Sequence, residues 1–558
     1  MKSSTFFLLA LWAGAALHGQ PAAPASSPAV PPQAAAIVAP ALKGVRLVPD
    51  PAAPGAAAEG IDFHALPLLD RSDLRETLGR RLGQPLRITD IAAMIREIKL
   101  AYAKLGRPFV EVAVPPQDIT SGGLTLVVIE SRLGTLKVVG KKWFSESSYL
   151  AQLHLAPGQP IDKSRLNADL DWLARGGYRS ATVQAAPGGV LGTTDLVLEV
   201  QEQRPWRFYT GYSDSGTATT DDERITAGLS WGNAFGRGEE LTYQLTTSPD
   251  LRTSVAHSGS YTVPIDRWHH VFRADAAWST IRADIPAPFD SKGYSWQIGL
   301  NYEIPLRQWK LGAATAVTHS LTAGFDVKET NNNIEFSSMP ITDNTTQVVQ
   351  FRASYDASAQ DRLGGTSLRI TGVLSPGGLM GNNDDEAFAG SRSGAQANYA
   401  YLNLSVQRQT KLPHGFSHSL TLTGQISSAN LLGSEQLGLG GAHSVRGYDE
   451  GLVYGDQGVL LRNELYLPAF SLTGKLGHGL PRDSVRLLGF WDYGAVRNKH
   501  LLAGEDPNLI LSSVGVGLRY QLGERFNAQF DYGWQQADVG FPTREMHGRG
   551  HVSATVSW

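Results

Sequence analysis

The most constraining feature of this 558-residue chain is a series of short alternating segments that begins after Pro205 and continues to the C-terminus. Apolar and polar residues alternate within each segment, and aromatic residues lie near the segment ends. Alternation with a period of two is typical of β-strands that have one apolar face. The pattern predicts sixteen strands, at residues 206–213, 224–232, 240–247, 254–263, 270–280, 294–304, 316–327, 346–356, 366–374, 399–408, 418–428, 458–467, 484–496, 512–522, 527–536 and 550–558.

An even number of antiparallel strands can close into a barrel that crosses a membrane. The last segment illustrates the two faces, because Val552, Ala554 and Val556 point one way and the serine and threonine residues between them point the other. A soluble all-β domain would also alternate, but sixteen strands exceed the usual size of a β-sandwich. Closure also removes unpaired strand edges, which lipid does not tolerate. We therefore predict a transmembrane β-barrel of 16 antiparallel strands at residues 205–558.

The N-terminal residues predict export from the cytoplasm. Lys2, an apolar run at residues 6–17 and the small residues after it are typical of a secretory signal peptide, which we assign to residues 1–19. Residues 20–41 are rich in alanine and proline and predict a linker, because they cannot bury enough apolar surface to fold. No segment has the ~18 consecutive apolar residues of a membrane helix, so a membrane-embedded form of this chain must be a barrel.

Two repeats precede the predicted barrel. In residues 42–131 a strand is followed by two helices and two strands, and residues 132–204 show the same order. In the second repeat Leu166, Leu170 and Leu173 form one apolar stripe on a helix, which is enough to cover a small sheet. The pattern predicts two α+β domains of the same build in tandem.

Composition excludes several classes of function. A net charge of -3 gives no signal for nucleic acid, and the lack of cysteine excludes disulfides and thiolate metal sites. Histidines such as His257, His319 and His443 are scattered, and they form no convergent Ser/His/Asp or paired-carboxylate set on one face. We predict no catalytic residue, no cofactor and no metal site.

The stretch LGLGGAHSVRGYDEG, residues 437–451, is the least strand-like part of the predicted barrel. It lies between the eleventh and twelfth strands, so with both termini in the periplasm it belongs to the sixth extracellular loop, at residues 433–457. A phosphate-binding loop is close to excluded, because no Gly-Lys-Ser/Thr and no helix follow. A flexible surface turn, and an ordinary surface role for Arg446, stay open as alternatives.

The segment GFWDYGAV in the thirteenth strand offers a partner for Arg446. Alternation directs Trp491 and Tyr493 toward lipid and Asp492 toward the lumen. A buried carboxylate needs a cation, and a guanidinium can bridge it with two charge-assisted hydrogen bonds. Glycines would let the loop approach the barrel wall closely. The sequence therefore predicts that the loop folds inward and places Arg446 against Asp492.

The stretches LLGSEQLGLGGAHSVRGYDEG and GFWDYGAV together resemble the paired signatures of the two-partner secretion transporters, the TpsB or ShlB/FhaC/HecB family that exports haemolysins, filamentous adhesins and contact-dependent toxins. VPPQDI at residues 114–119 resembles the first POTRA domain of that family, so the resemblance covers most of residues 42–558. It implies two periplasmic POTRA domains, POTRA 1 at 42–131 and POTRA 2 at 132–204, ahead of a sixteen-stranded barrel in the bacterial outer membrane.

The resemblance also implies a set of functional residues. The family's Val-Arg-Gly-Tyr motif at the tip of the sixth loop matches Val445, Arg446, Gly447 and Tyr448, and its strand aspartate matches Asp492. The implied function is a translocator without bond-making chemistry. It would thread a secreted TpsA-type exoprotein outward through the lumen.

The exported partner would first meet POTRA 2, by adding an extended segment to an exposed sheet edge. The residues expected to offer that edge are Tyr178, Arg179, Ser180, Ala181, Thr182 and Val183. Further expected partners are outer-membrane lipid and, during biogenesis, periplasmic chaperones and the barrel-assembly machinery. No nucleic acid is expected as a partner.

Two features depart from the family pattern, and three other functions stay open. WLARGGYRS lacks the Asn-Pro usual in the second POTRA domain, and the Pro/Ala-rich segment does not match the family's N-terminal plug helix. The alternatives are a barrel-protein insertase of the same superfamily, an outer-membrane enzyme and a passive porin. Two periplasmic repeats favour an exporter, because the insertase usually carries five and a porin would need none.

Overall fold

The computed structural model describes residues 36–50, 59–190, 192–217, 219–283, 285, 288–312, 315–336, 339–475, 482–538, 540 and 547–558. The predicted signal peptide at residues 1–19 and most of the predicted linker lie outside these ranges. The chain divides into one unit that ends at Gln203 and a second that begins at Arg204. No helix in the described ranges is long and apolar enough to cross a membrane.

The first repeat folds as a small α+β domain. Its elements are β1 (Ile37–Ala39), β2 (Gly44–Val48), β3 (Gly60–Phe63), α1 (Ser72–Gly79), β4 (Leu86–Arg87), α2 (Ile88–Lys104), β5 (Val110–Ala113) and β6 (Gly123–Glu130). The main sheet has the order β3-β2-β6-β5. Met94 and Ile98, four residues apart on α2, are fully buried against Leu47 and Leu126 of the sheet. One apolar face of α2 therefore closes the core of the domain.

The N-terminal end of this domain corrects the prediction of a linker at residues 20–41. Residues 37–39 form β1, which pairs with β4. Ala39 is almost completely buried in the core of the domain, and Val38 packs against it. The alanine- and proline-rich composition of the whole segment concealed these few apolar residues, which cover core surface.

The second repeat forms the elements β7 (Arg132–Val139), α3 (Glu146–Gln152), α4 (Lys163–Ala174), β8 (Arg179–Pro187) and β9 (Thr193–Glu202). The sheet order is β7-β9-β8, so β8 lies at one edge. Asp162 caps α4 by accepting hydrogen bonds from the backbone N–H groups of Ser164 and Arg165, at 2.8 and 3.1 Å. Tyr149 of α3 donates to Glu202 Oε1 at 2.6 Å, and burial together with this carboxylate raises the pKa of Tyr149.

The unit from Arg204 onward is a closed antiparallel barrel. Its strands are β10 (Trp206–Ser213), β11 (Arg224–Gly232), β12 (Glu240–Thr247), β13 (Ser254–Ile265), β14 (His270–Ala283), β15 (Phe289–Pro305), β16 (Trp309–Leu311), β17 (Thr315–Phe336), β18 (Met339–Gln360), β19 (Gly364–Ser375), β20 (Tyr399–Lys411), β21 (Ser417–Ser427), β24 (Gln457–Tyr466), β25 (Asp483–Arg497), β26 (Leu509–Leu522), β27 (Phe526–Gln535) and β28 (Gly548–Ser557). Helix α5 (Asp385–Ser391) lies between β19 and β20, and the short strands β22 (Leu437–Leu439) and β23 (Val453–Gly455) lie between β21 and β24.

The sixteen predicted strands are confirmed. The three-residue β16 only adds a short pairing with β17, next to the pairing of β15 with β17. Strands β10 and β28 close the barrel, with Tyr209 opposite Ser557 and Ser213 opposite Ser553. Strands β17 and β18 have 22 residues each, about twice the 9–11 residues that cross a bilayer. Their extra length was missed because polar runs such as residues 330–333 interrupt the alternation.

The two faces of the barrel wall follow the predicted alternation. Trp491 points outward with 44% of its surface exposed, whereas the neighbouring Asp492 is 0% exposed. On β28 Val552 is exposed and His551 is buried. Lipid-facing and inward-facing residues therefore alternate along these strands, as a membrane barrel requires.

Candidate functional site

The connection between β21 and β24, residues 428–456, is called loop six below, and residues 445–448 are called its tip. Strands β22 and β23 pair with each other and form the stem of a hairpin. One apolar cluster contains hairpin and wall residues: Leu437, Leu439, Val445, Tyr448 and Val453 from loop six, with Leu460, Val496 and Leu511 from β24, β25 and β26. Loop six therefore packs against the inner side of the barrel wall instead of extending into solvent.

The predicted contact between Arg446 and Asp492 is present. Arg446 Nε and Nη2 donate to the two carboxylate oxygens of Asp492 at 2.7 and 2.8 Å. The backbone N–H of Arg446 also donates to Asp492 Oδ2, at 3.2 Å. Both side chains are 0% exposed. This is the bidentate geometry that a guanidinium makes with a carboxylate, and the backbone N–H of the tip adds a third hydrogen bond.

Four further charged residues surround this pair. Arg446 Nη1 donates to Glu464 Oε1 at 2.7 Å and lies 3.6 Å from Asp531 Oδ2. Arg519 holds Asp531 with two hydrogen bonds of 2.8 and 2.9 Å. Arg462 Nε lies 3.9 Å from Asp492 Oδ1. Three guanidinium groups thus face three carboxylates, so the buried cluster is formally neutral and the removal of one member leaves a net charge.

An aromatic ring supports the guanidinium of Arg446 from a direction that the carboxylates do not use. The Cζ atom of Arg446 lies 3.6 Å from the centre of the Phe490 ring. Phe490 and Asp492 are two residues apart on β25, so both point inward. A cation stacked on a ring and bonded at its rim is fixed in both position and orientation.

The other residues of the tip are also in contact with the wall. The Tyr448 hydroxyl lies 2.9 and 2.8 Å from the carbonyl oxygens of Ser512 and Ala537, which share its single proton as acceptors. Gln535 Nε2 donates to the Gly447 carbonyl at 2.7 Å. Val445 is completely buried in the apolar cluster of loop six. All four residues of the Val-Arg-Gly-Tyr motif therefore take part in seating the tip.

Glycines allow the tip to touch the wall backbone to backbone. Gly447 has φ +88, and a Cβ added there would lie 2.6 Å from the Gly533 carbonyl oxygen. A Cβ added to Gly533 on β27 would lie 2.8 Å from the Gly447 nitrogen. Both distances are shorter than any ordinary contact of a carbon atom. Gly533 was not among the predicted site residues, although a glycine inside a strand is a signal for close backbone approach.

The base of loop six is held by two further buried acids. Glu435 on the outgoing limb pairs with Lys328 of β17 at 2.7 Å. Asp456 on the returning limb pairs with Arg392, which follows α5, at 2.8 Å. Glu435 and Asp456 have side chains that are at most 1% exposed. Tip and base are therefore attached independently, through different strands and loops.

The predicted docking residues lie along the edge of the second N-terminal domain. Ser180, Ala181, Thr182 and Val183 belong to β8, and Tyr178 precedes that strand. Arg179 is largely engaged in the domain itself, because it donates to Gln152 Oε1 at 2.6 Å and lies over the Phe144 ring. The side chains of Tyr178, Ala181 and Val183 pack against the core of the same domain. Any docking surface here consists mainly of main-chain groups.

The histidines considered for an enzymatic site occupy separate surroundings. His257 on β13 contacts Tyr243 and Trp278 on the barrel wall. His319 on β17 lies 4.1 Å from the ring centre of Trp309, and His443 belongs to loop six. The structure brings these three residues to different places.

Comparisons with known proteins agree with this architecture. The family model of the haemolysin secretion/activation protein ShlB/FhaC/HecB matches residues 192–520. A model of the ShlB-type POTRA domain matches residues 57–131, and a POTRA model described as surface antigen variable number repeat matches residues 132–203.

Individual relatives are similar over most of the chain. The heme/hemopexin transporter protein HuxB of Haemophilus influenzae (strain 86-028NP) is 22% identical over 464 residues, which are 80% of this chain and 78% of HuxB. The solved structure of CdiB from Escherichia coli superposes with a TM-score of 0.72 at 18% identity, covering 93% of this chain and 91% of that one. CdiB from Acinetobacter baumannii gives a TM-score of 0.62 at 18% identity, covering 93% and 90%. The two structures support the fold.

The ShlB/FhaC/HecB model spans more than half of the chain, and the two POTRA models match the two N-terminal repeats. The sixteen-stranded barrel is the membrane-embedded part of this architecture. The chain therefore belongs to the haemolysin secretion/activation family ShlB/FhaC/HecB and is an outer-membrane transporter of two-partner secretion, with its POTRA domains in the periplasm.

Proposed function

We propose that this transporter exports a large secreted partner of the TpsA type, which enters in an unfolded state from the periplasm, docks on POTRA 2 and passes outward through the barrel beside loop six. The observation that carries the proposal is the completely buried Arg446–Asp492 pair at the tip of loop six. A passive pore has no need for a hairpin seated by a neutral six-charge cluster. Folding of the cargo outside the cell would drive the export, because the periplasm supplies no nucleotide energy.

In this proposal Arg446 acts as a latch that gives loop six one position. The base of the loop is attached through Glu435 and Asp456, so a released tip would stay tethered within the barrel. An unlatched hairpin would then sample many positions across the path of the cargo. A latched hairpin lies against the wall formed by β24 to β28 and leaves the remaining lumen in a defined shape.

The docking surface of POTRA 2 is proposed to be the free edge of β8. Gln203 N donates to Tyr178 O at 2.7 Å, and Gly188 N donates to Thr193 O at 2.9 Å, so even-numbered residues of β8 bond to β9. The alternation of an antiparallel ladder directs the backbone groups of Ala181 and Val183 away from β9. Pro187 occupies another odd-numbered position, where its missing N–H breaks no bond to β9. An extended segment of the cargo can add to this edge by main-chain hydrogen bonds.

The substitution Ala181→Pro tests this docking mode. It removes an outward N–H and places the proline ring at the edge, while the bonds from even-numbered residues to β9 stay intact. We expect secretion of the partner encoded by the neighbouring reading frame to fall roughly 10-fold, because one main-chain bond is lost and its neighbours are obstructed. The measurement is the amount of partner in the culture medium relative to the amount of transporter in the outer membrane.

The matched control is Ala181→Val, which keeps the N–H group and suits a strand. It should secrete nearly as well as the wild type. Equal secretion by the proline and valine variants would show that the cargo does not use this edge. The latch proposal would be untouched by that result, because it concerns a separate unit of the chain.

A further inference from the structure

His551 contacts the tip of loop six, but it belongs to neither of the two sequence motifs. It lies on β28, points inward and is 2% exposed. The backbone N–H of Gly447 donates to His551 Nε2 at 3.1 Å. This contact joins the tip to a different strand from the one that carries Asp492, so it is independent of the latch pair.

The direction of this hydrogen bond fixes the protonation state of the imidazole. A backbone N–H can only donate, so Nε2 must offer its lone pair and cannot carry a proton. An imidazolium has protons on both nitrogen atoms and accepts nothing. The seated tip therefore requires neutral His551, whereas a released tip places no such demand on it.

The charged groups around His551 come from two barrel strands, from the connection that follows β10 and from loop six. Arg549 precedes it on β28, Asp531 faces it from β27, and Arg446 and His443 face it from loop six. Asp214, which directly follows β10, has its Oδ2 atom 4.0 Å from His551 Nδ1.

The carboxylates near His551 already have other partners. Asp531 is bonded twice by Arg519, and Asp214 Oδ1 accepts from the Val552 N–H at 2.9 Å. A small cavity lined by Asp214, His443, Asp531 and His551 lies beside the ring and gives it room for water. Protonation of His551 therefore places a positive charge near two guanidinium groups and breaks the hydrogen bond from Gly447.

We propose that His551 is a proton-sensitive positioning residue, which holds the tip of loop six through Gly447 when neutral and releases it when protonated. The inference rests on the proposed function in one respect, namely that the position of the tip against the barrel wall determines whether the channel is open or closed. Because the released state accepts the proton more readily, acid favours release. A released imidazole titrates at about pH 6.5, so the seated state loses stability as the pH falls below that value.

The experiment is single-channel recording of the full-length transporter in planar bilayers at pH 7.5 and pH 5.5. For the wild type we expect transient openings to become roughly 3- to 10-fold more frequent at the lower pH, the factor that one net hydrogen bond makes in an equilibrium. His551→Gln should show no such increase, because its amide oxygen can accept from Gly447 without gaining a charge. His551→Leu should open frequently at both pH values, because it accepts no hydrogen bond.

The control variant is His443→Gln, which alters the other histidine of the same cavity. It should keep the pH response of the wild type. A wild type without a pH response, or a His551→Gln variant that responds like the wild type, would overturn the proposal. Loss of the response in His443→Gln would also overturn it and assign the effect to loop six itself. In each case the secretion defect of an Arg446 variant remains a separate test of the latch.

Discussion

Arg446→Ala is expected to leave a folded barrel in the outer membrane that secretes very little of its partner. The substitution removes one of three guanidinium groups from a neutral cluster. It leaves Asp492, which is 0% exposed, without its bidentate partner. Breaking a buried ion pair from one side costs about 3–5 kcal/mol, which shifts the seating of the tip by a factor of ~100 or more. The strand ladders do not depend on this side chain, so the barrel itself should persist. The measurements are the gel mobility of unheated protein and the amount of secreted partner.

Arg408→Ala is the matched control for this prediction. Arg408 on β20 also makes two hydrogen bonds to an aspartate, Asp361, at 2.7 and 3.0 Å, but this pair is partly exposed, and Asp361 lies in the turn between β18 and β19. Exposed pairs contribute little, so secretion should be close to normal. Arg446→Lys should be intermediate at best, because an ammonium cannot make the two parallel bonds. Normal secretion by Arg446→Ala would falsify the latch proposal.

The barrel was predictable because lipid imposes a simple rule on every strand. A strand with lipid on one side must alternate, so all sixteen strands and the inward direction of Asp492 followed from a period of two. The short strand β1 could not be predicted in the same way. Its burial depends on pairing with β4, almost 50 residues later in the chain, and a three-residue strand has no periodicity of its own.

Of the site, only the pairing of Arg446 with Asp492 was predictable from the sequence. Alternation places Arg462 and Glu464 inward on β24, yet nothing in the sequence states that they meet Arg446. That meeting depends on the register, in which Arg462 lies directly opposite Asp492, and on the depth that loop six reaches. The attachment of Glu435 to Lys328 joins residues 107 positions apart and has no local signal at all. Contacts between a loop and a distant wall are set by the closed barrel, which the alternation pattern does not describe.

Gly447→Ala should reduce secretion about as strongly as the loss of Arg446, although it removes no charge and no hydrogen-bonding group. Gly447 adopts φ +88, a conformation that costs an alanine about 1–2 kcal/mol. The added Cβ would also lie 2.6 Å from the Gly533 carbonyl oxygen, and overpacking of this kind costs about 1–3 kcal/mol more. The position of a Cβ is fixed by the backbone that carries it, and the oxygen belongs to the main chain, so neither atom can rotate away. The tip must therefore lift from the wall, which pulls Arg446 out of reach of Asp492.

Two further substitutions separate the backbone strain from the overlap. Gly504, in the connection after β25, has the same φ of +88, but a Cβ there meets no described atom within 4 Å. Gly504→Ala therefore carries only the strain and should secrete normally. Gly533→Ala introduces the overlap without the backbone strain. Its Cβ would lie on the wall side, 2.8 Å from Gly447 N, and Gly533 has no positive φ. If Gly533→Ala secretes poorly while Gly504→Ala does not, close backbone contact between tip and wall is required for export. If Gly533→Ala secretes normally, the tip does not need this seat, and the charge cluster would have to act in some other way.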